Sequence, residues 1–216
     1  MAKKKVRKTR RDPWNKGVAV GQRDPFSTAE VNRIRKQLRR RGEAGRRDLA
    51  LFSTAIDTML RTPDLLGLLV KDVRKRDGAM RDTFKLAASD VGQRRVGIQC
   101  TLSKTTMKVL DQWISQAGKK QGDYLFTGRI GGGQIALSSR QLSRLVKAWA
   151  VGIGLDEHLY GIESLRRTRA IHILNRTRNL EALRELLGLT DVRQTALYLS
   201  DSDAISGRQR GKRNLK

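Results

Sequence analysis

Apolar residues from Phe26 to Leu199 recur mostly at the three-and-four spacing of an α-helix, and that period decides the fold class. Ser27 and Glu30 form a capping box, with Phe26 and Val31 placed as a hydrophobic staple, and Val31, Ile34 and Leu38 follow on one face. Gly42 and Gly45 are expected to break that helix. A second helix is expected from about Asp48 to Leu60, burying Leu49, Phe52, Ile56 and Leu60. Pro63 suits the start of another, continuing from Leu65 to Val73. Ser103 caps a helix carrying Met107, Leu110, Ile114 and Ala117. Ser138 and Gln141 make a second capping box before Leu142, Leu145, Trp149 and Ile153, where Trp149 reads as core. Three further helices fit residues 165–176, 180–187 and 192–199.

One stretch breaks the pattern. Asp77-Gly78 signals a turn, and residues 83–86 and 95–100 read as strands separated by Ser89, Asp90 and Gly92. The expected fold is mainly α with a small antiparallel β-sheet of two or three strands, an α+β arrangement.

Charge narrows the partner. The 216 residues hold 46 Lys and Arg against 21 Asp and Glu, a net charge of +25 that points to a polyanion, most often nucleic acid. Residues 1–24 read as a basic disordered arm, with Lys3, Lys4, Lys5, Arg7, Lys8, Arg10 and Arg11 as candidate DNA contacts. Residues 206–216 form a similar basic tail, leaving 25–205 as the folded domain. No apolar run is long enough for a membrane span, and no apolar segment of a secretory signal follows the basic N-terminus. The single cysteine, Cys100, excludes a disulfide framework and a zinc finger. His158 and His172 lack partner ligands, so neither a metal nor another cofactor is expected. Gly131-Gly132-Gly133 has no following Lys-Ser/Thr and is not a P-loop.

The C-terminal third carries the chemistry. Glu163-Ser164-Leu165-Arg166-Arg167-Thr168 is followed by Leu186-Leu187-Gly188-Leu189 and then by Thr195-Ala196-Leu197-Tyr198. Upstream stands Asp57-Thr58-Met59-Leu60-Arg61-Thr62-Pro63-Asp64. In this order and spacing the chain resembles the tyrosine recombinase (phage integrase) family over about residues 26–200. That family's boxes read Thr-Gly-Leu-Arg, then His-x-Leu-Arg-(His/Arg)-Thr, then Leu-Leu-Gly-His and Thr-x-x-Tyr. The resemblance implies the recombinase catalytic-domain fold. It also implies a site-specific recombinase or integrase that cuts and rejoins DNA through a 3′-phosphotyrosine. Tyr198 is then the nucleophile, and Arg61 and Arg166 clamp the phosphate, with Asp64 in support. Fork-shaped, permanently charged guanidiniums suit both non-bridging oxygens of the phosphorane.

Two departures stand out. Glu163 occupies the second-box histidine position and Leu189 the Leu-Leu-Gly-His histidine. A carboxylate at 163 is awkward beside a phosphate, yet can brace Arg166 or accept the proton of Tyr198. The family's sheet-turn lysine, the general acid, aligns with Gln93 or Val91, and Lys85, Arg94, Arg95 and Lys104 are basic alternatives nearby. The alternative function is therefore a catalytically degenerate relative that binds DNA as an accessory or regulatory protein. Little more than an arm and one helix precede the first box, as in fimbrial-switch recombinases and mobile-element integrases. The resemblance further implies a cytoplasmic, nucleoid-associated protein of bacterial or phage origin. Its partner would be double-stranded DNA, bound by a protein that is monomeric in solution and a homo-tetramer on paired sites.

Overall fold

The computed structural model describes residues 23–87, 97–128, 134–189 and 191–200. The basic residues Lys3 to Arg11, the loop candidates Arg94 and Arg95 and the tail from 206 lie outside them. Helix α1 (Thr28–Arg40) starts at the Ser27–Glu30 capping box and buries Val31, Ile34 and Leu38. Helix α2 (Glu43–Thr58) begins earlier than its apolar period suggests, with Gly45 inside it. A Cβ at Gly45 would sit 2.1 Å from the Leu38 carbonyl oxygen, so this glycine permits close approach to the end of α1 rather than breaking a helix.

Helix α2 is the central element, packed against α1, against α5 (Lys104–Gln116) and against α7 (Ile162–Thr177). The expected helix through Leu65 to Val73 divides at Gly67 into α3 (Thr62–Leu66) and α4 (Val70–Val73). Among the described residues the sheet has two strands, β1 (Thr83–Leu86) and β2 (Ile98–Thr101), paired antiparallel with Phe84 opposite Cys100. Of the expected strand 95–100, residues 95 and 96 lie outside the described residues and Gly97 stands outside β2. Helix α6 (Ser139–Val151) opens at the second capping box and rests on α3 and α7. Helices α8 (Leu180–Leu187) and α9 (Val192–Ser200) complete the order.

The apolar side chains separate into two cores. The larger joins α1 to α7 and centres on aromatic contacts: Phe26 stacks on Tyr160 at 4.6 Å, while Phe52 meets Trp149 edge-on at 5.5 Å. Trp149 is core, as its spacing indicates. The smaller gathers Met59, Ala170, Leu183, Leu187 and Leu199, with Leu189 and Tyr198 packed against it. This second core joins the end of α2 to α7, α8 and α9, and so fixes the relative positions of the motif residues.

Met59 makes the turn between α2 and α3. It caps α2 in the left-handed region at φ 52°, where glycine is the usual residue, yet its side chain is buried. Met59→Gly relieves roughly 1–2 kcal/mol of backbone strain. It forfeits about 2–5 kcal/mol of core packing. We expect a net loss of up to about 4 kcal/mol in denaturant unfolding. A stabilised variant would show that strain outweighs packing at this turn.

Candidate active site

Three segments far apart in sequence supply the site. The left-handed turn at Met59 sends the chain into α3, whose N-cap is Arg61 and whose first turn carries the buried Asp64. Arg166 and Arg167 lie in the first half of α7, and α9 brings Tyr198 over them. Thr168 anchors that part of α7, accepting a hydrogen bond from the Phe26 N–H at 2.9 Å and donating to the Ser164 carbonyl at 2.6 Å.

The Arg166 guanidinium carbon is 5.8 Å from the centroid of the Tyr198 ring. Burial lowers the pKa of Arg166, and the positive charge of Arg61 acts in the same sense. Tyr198, Glu163 and Asp64 oppose it. Arg61, Asp64, Glu163, Arg166 and Tyr198 therefore share one electrostatic neighbourhood. Nη2 of Arg166 donates to the Leu187 carbonyl oxygen at 2.5 Å, which ties α7 to the end of α8. Its Nε is buried with no hydrogen-bond partner among the described residues, so the guanidinium keeps capacity for another acceptor.

The Tyr198 hydroxyl donates a hydrogen bond to Oε1 of Glu163. Burial, the Glu163 charge and this hydrogen bond raise the tyrosine pKa far above that of a free phenol, while Arg166 and Arg167 pull it down. Glu163 stands in the first turn of α7, where the helix dipole favours a carboxylate. The exposed Glu163 carboxylate is an acceptor already in hydrogen-bond contact with the partly buried phenol.

Leu189 does other work. Its N–H donates to the Arg184 carbonyl at 3.0 Å, its carbonyl accepts from Arg184 Nη1 at 2.8 Å, and its side chain joins the smaller core. It closes α8 and packs, with no donor to offer a phosphate. Lys85 is exposed on β1 opposite Gln99, and Lys104 is exposed at the first position of α5. Neither is among the groups acting on Arg166 or Tyr198. Arg94 and Arg95, like Gln93 and Val91, lie outside the described residues. Among the described residues no cluster of three or more His, Cys, Asp and Glu side chains could hold a metal ion. None of their helices is long and apolar enough to cross a membrane.

Sequence reasoning passed over Arg167, which the structure buries against Tyr198. The doubled arginine was visible, but nothing in the pattern of α7 marks which of the two turns inward.

The arrangement offers a phenol in contact with a carboxylate and flanked by guanidiniums, as phosphoryl transfer to a tyrosine requires. The fold has solved counterparts. The XerA recombinase superposes with a TM-score of 0.65 at 18% identity, over 87% of this chain and 64% of that one. The Tn1549 transposon integrase in complex with transposon right end DNA gives 0.64 at 14% identity, over 93% and 71%. In sequence, the tyrosine recombinase XerC of Neisseria gonorrhoeae is 29% identical over 162 residues, which is 74% of this chain and 49% of that protein. The chain thus spans about half the length of the curated relatives it matches. The sequence profile described as the phage integrase family matches residues 26–204, and with motifs, fold and relatives in agreement the chain belongs to that family, the tyrosine recombinases.

Proposed function

We propose that the chain cuts and rejoins DNA strands at specific sites through a covalent 3′-phosphotyrosine on Tyr198. The observation that carries this reading is the Arg166 guanidinium 5.8 Å from the centroid of the Tyr198 ring, with Arg61, from a third distant segment, near enough for its charge to act on Arg166. In the forward step Glu163 accepts the Tyr198 proton and the phenolate oxygen bonds to phosphorus. The bond from phosphorus to the 5′ oxygen breaks, and that oxygen takes a proton from a general acid. Lys85, Arg94, Arg95 and Lys104 are the candidates for that acid. Arg61 and Arg166 hold the non-bridging oxygens as charge builds on them. Rejoining is the reverse, with a 5′ hydroxyl attacking the phosphotyrosine. No cofactor enters, because the phosphodiester energy is stored in the covalent link.

In this reading residues 25–205 are the catalytic domain, and the basic arm and tail, with Lys3, Lys4, Lys5, Arg7, Lys8, Arg10 and Arg11, grip phosphates. The protein binds as a monomer, assembles as a tetramer on paired sites and works in the cytoplasm, as part of a bacterial mobile element or phage.

The test uses duplexes recovered by binding selection and nicked beside the candidate cleavage position, so that cleavage traps the protein. A covalent adduct resistant to denaturant is expected. The second reading, a DNA-binding accessory protein, is favoured by Glu163 and Leu189 standing in the histidine positions. Specific binding without adduct would select it.

Both readings share a strong electrostatic component. With a net charge of +25, affinity for duplex should fall by about 10³–10⁵-fold from about 50 to 200 mM salt, if roughly 6–10 phosphates are neutralised. Equilibrium binding across a salt series reads the slope. A flat response would remove the phosphate-contact account.

A further inference from the structure

Arg167 is 1% exposed, and Nε, Nη1 and Nη2 of its guanidinium are all buried with no hydrogen-bond partner among the described residues. A buried guanidinium without an acceptor is strongly unfavourable, and an apolar side chain of similar length would fill the space without that cost. Consecutive residues on a helix point about 100° apart. Yet the guanidinium carbons of Arg166 and Arg167 each lie 5.8 Å from the centroid of the Tyr198 ring. Both cations lie close to the phenol ring, and their other contacts differ. Arg166 is committed in part to the Leu187 carbonyl and faces the Arg61 side of the site. Arg167 lies by the ring and has no hydrogen-bond partner among the described residues.

We propose that Arg167 is a positioning residue for Tyr198: its buried, unpartnered guanidinium fixes the ring and stands ready as countercharge to the phenolate that attacks phosphorus. The inference rests on Tyr198 being the nucleophile. When the hydroxyl proton passes to Glu163, negative charge appears on the phenolate oxygen beside a cation that no other acceptor has neutralised. As the bond to phosphorus forms and the 5′ oxygen leaves, that charge moves on to DNA and Arg167 returns to its cation–π contact with the neutral ring. The missing acceptor of the resting state is thus an anion that exists only during reaction, which is the form in which a fixed charge favours the transition state over the ground state.

Among the described residues the charged groups acting on the phenol are Glu163, Arg166 and Arg167, all from α7, with Arg61 and Asp64 from α3 acting on Arg166. The test separates Arg167 from the rest. The full chain is produced with its three tyrosines, Tyr124, Tyr160 and Tyr198, replaced throughout by 3,5-difluorotyrosine. The fluorines make the phenol more acidic and report its ionisation by ¹⁹F NMR, and Tyr198→Phe assigns the signal. Arg167→Met should move the midpoint at position 198 upward by about one pH unit or more. Arg167→Lys, which keeps the charge and loses the planar contact, should move it by less. The signals of Tyr124 and Tyr160 should not move. An unchanged or lowered midpoint at 198 in a folded Arg167→Met protein overturns the proposal. If that variant does not fold, a midpoint for Arg167→Lys equal to or below that of wild type does so.

On nicked duplex the adduct-forming rate of Arg167→Met should shift its pH profile to the alkaline side by a similar amount, with partial rescue in Arg167→Lys. An unshifted profile also overturns the proposal. Should the ¹⁹F midpoint move while wild type forms no adduct on DNA that it binds specifically, the charge of Arg167 acts on the phenol but the cleavage reading fails, and the role proposed for Arg167 in that reaction is overturned with it.

Discussion

Tyr198→Phe should abolish covalent attachment to DNA while leaving specific binding nearly intact. The ring packs against the smaller core and lies over Arg166 and Arg167, and phenylalanine keeps both contacts. What it removes is the hydroxyl, together with its hydrogen bond to Glu163. A neutral hydrogen bond is worth about 0.5–1.5 kcal/mol, and one to a charged acceptor up to about 3. The folded state should therefore survive, and a thermal melt beside the binding assay checks that it does. The loss of attachment should be complete, because among the described residues Tyr198 is the phenol placed by the arginines. Residual adduct at the wild-type position would mean that Tyr198 is not the nucleophile.

Arg166→Ala should lower the rate of adduct formation by about 10²–10³-fold, the usual effect of removing one preorganised donor from a developing oxyanion. It should also weaken binding, since a phosphate contact is lost. Arg166 has a structural share as well, through its hydrogen bond to the Leu187 carbonyl. Arg166→Lys separates the two effects. It restores charge without the fork, so it should recover affinity better than rate. Single-turnover kinetics with saturating protein isolate the rate. Equal rates in wild type and Arg166→Ala would remove the clamp from the account.

Much of the fold is legible in the sequence for local reasons. Ser27–Glu30 and Ser138–Gln141 announce α1 and α6 because a capping box needs only residues three apart. Trp149 reads as core from helical spacing alone. The errors come from tertiary demands. Gly45 looks like a helix breaker until the Leu38 carbonyl is seen to occupy the space a side chain would need. Leu65 to Val73 looks continuous because the apolar run does not show where Gly67 divides it.

In the site, Tyr198, Arg61 and Arg166 are picked out by motif spacing. Their meeting depends on the left-handed turn at Met59 and on packing among α7, α8 and α9, which no local pattern contains. Glu163 is in hydrogen-bond contact with the Tyr198 hydroxyl and its charge also acts on Arg166, a placement that motif spacing alone does not show. Arg167 stands in the motif but receives no role from it, because burial of one of two adjacent arginines is set by what covers the helix.

The account stands most directly on where the DNA becomes attached. Wild-type protein should be trapped on a nicked duplex carrying its selected site, digested with protease and nuclease, and mapped by mass spectrometry. The account predicts a nucleotide remnant on the peptide containing Tyr198, joined through a 3′-phosphate. A remnant on Tyr124, Tyr160 or a serine, or the absence of any remnant from a protein that binds the site specifically, would contradict it.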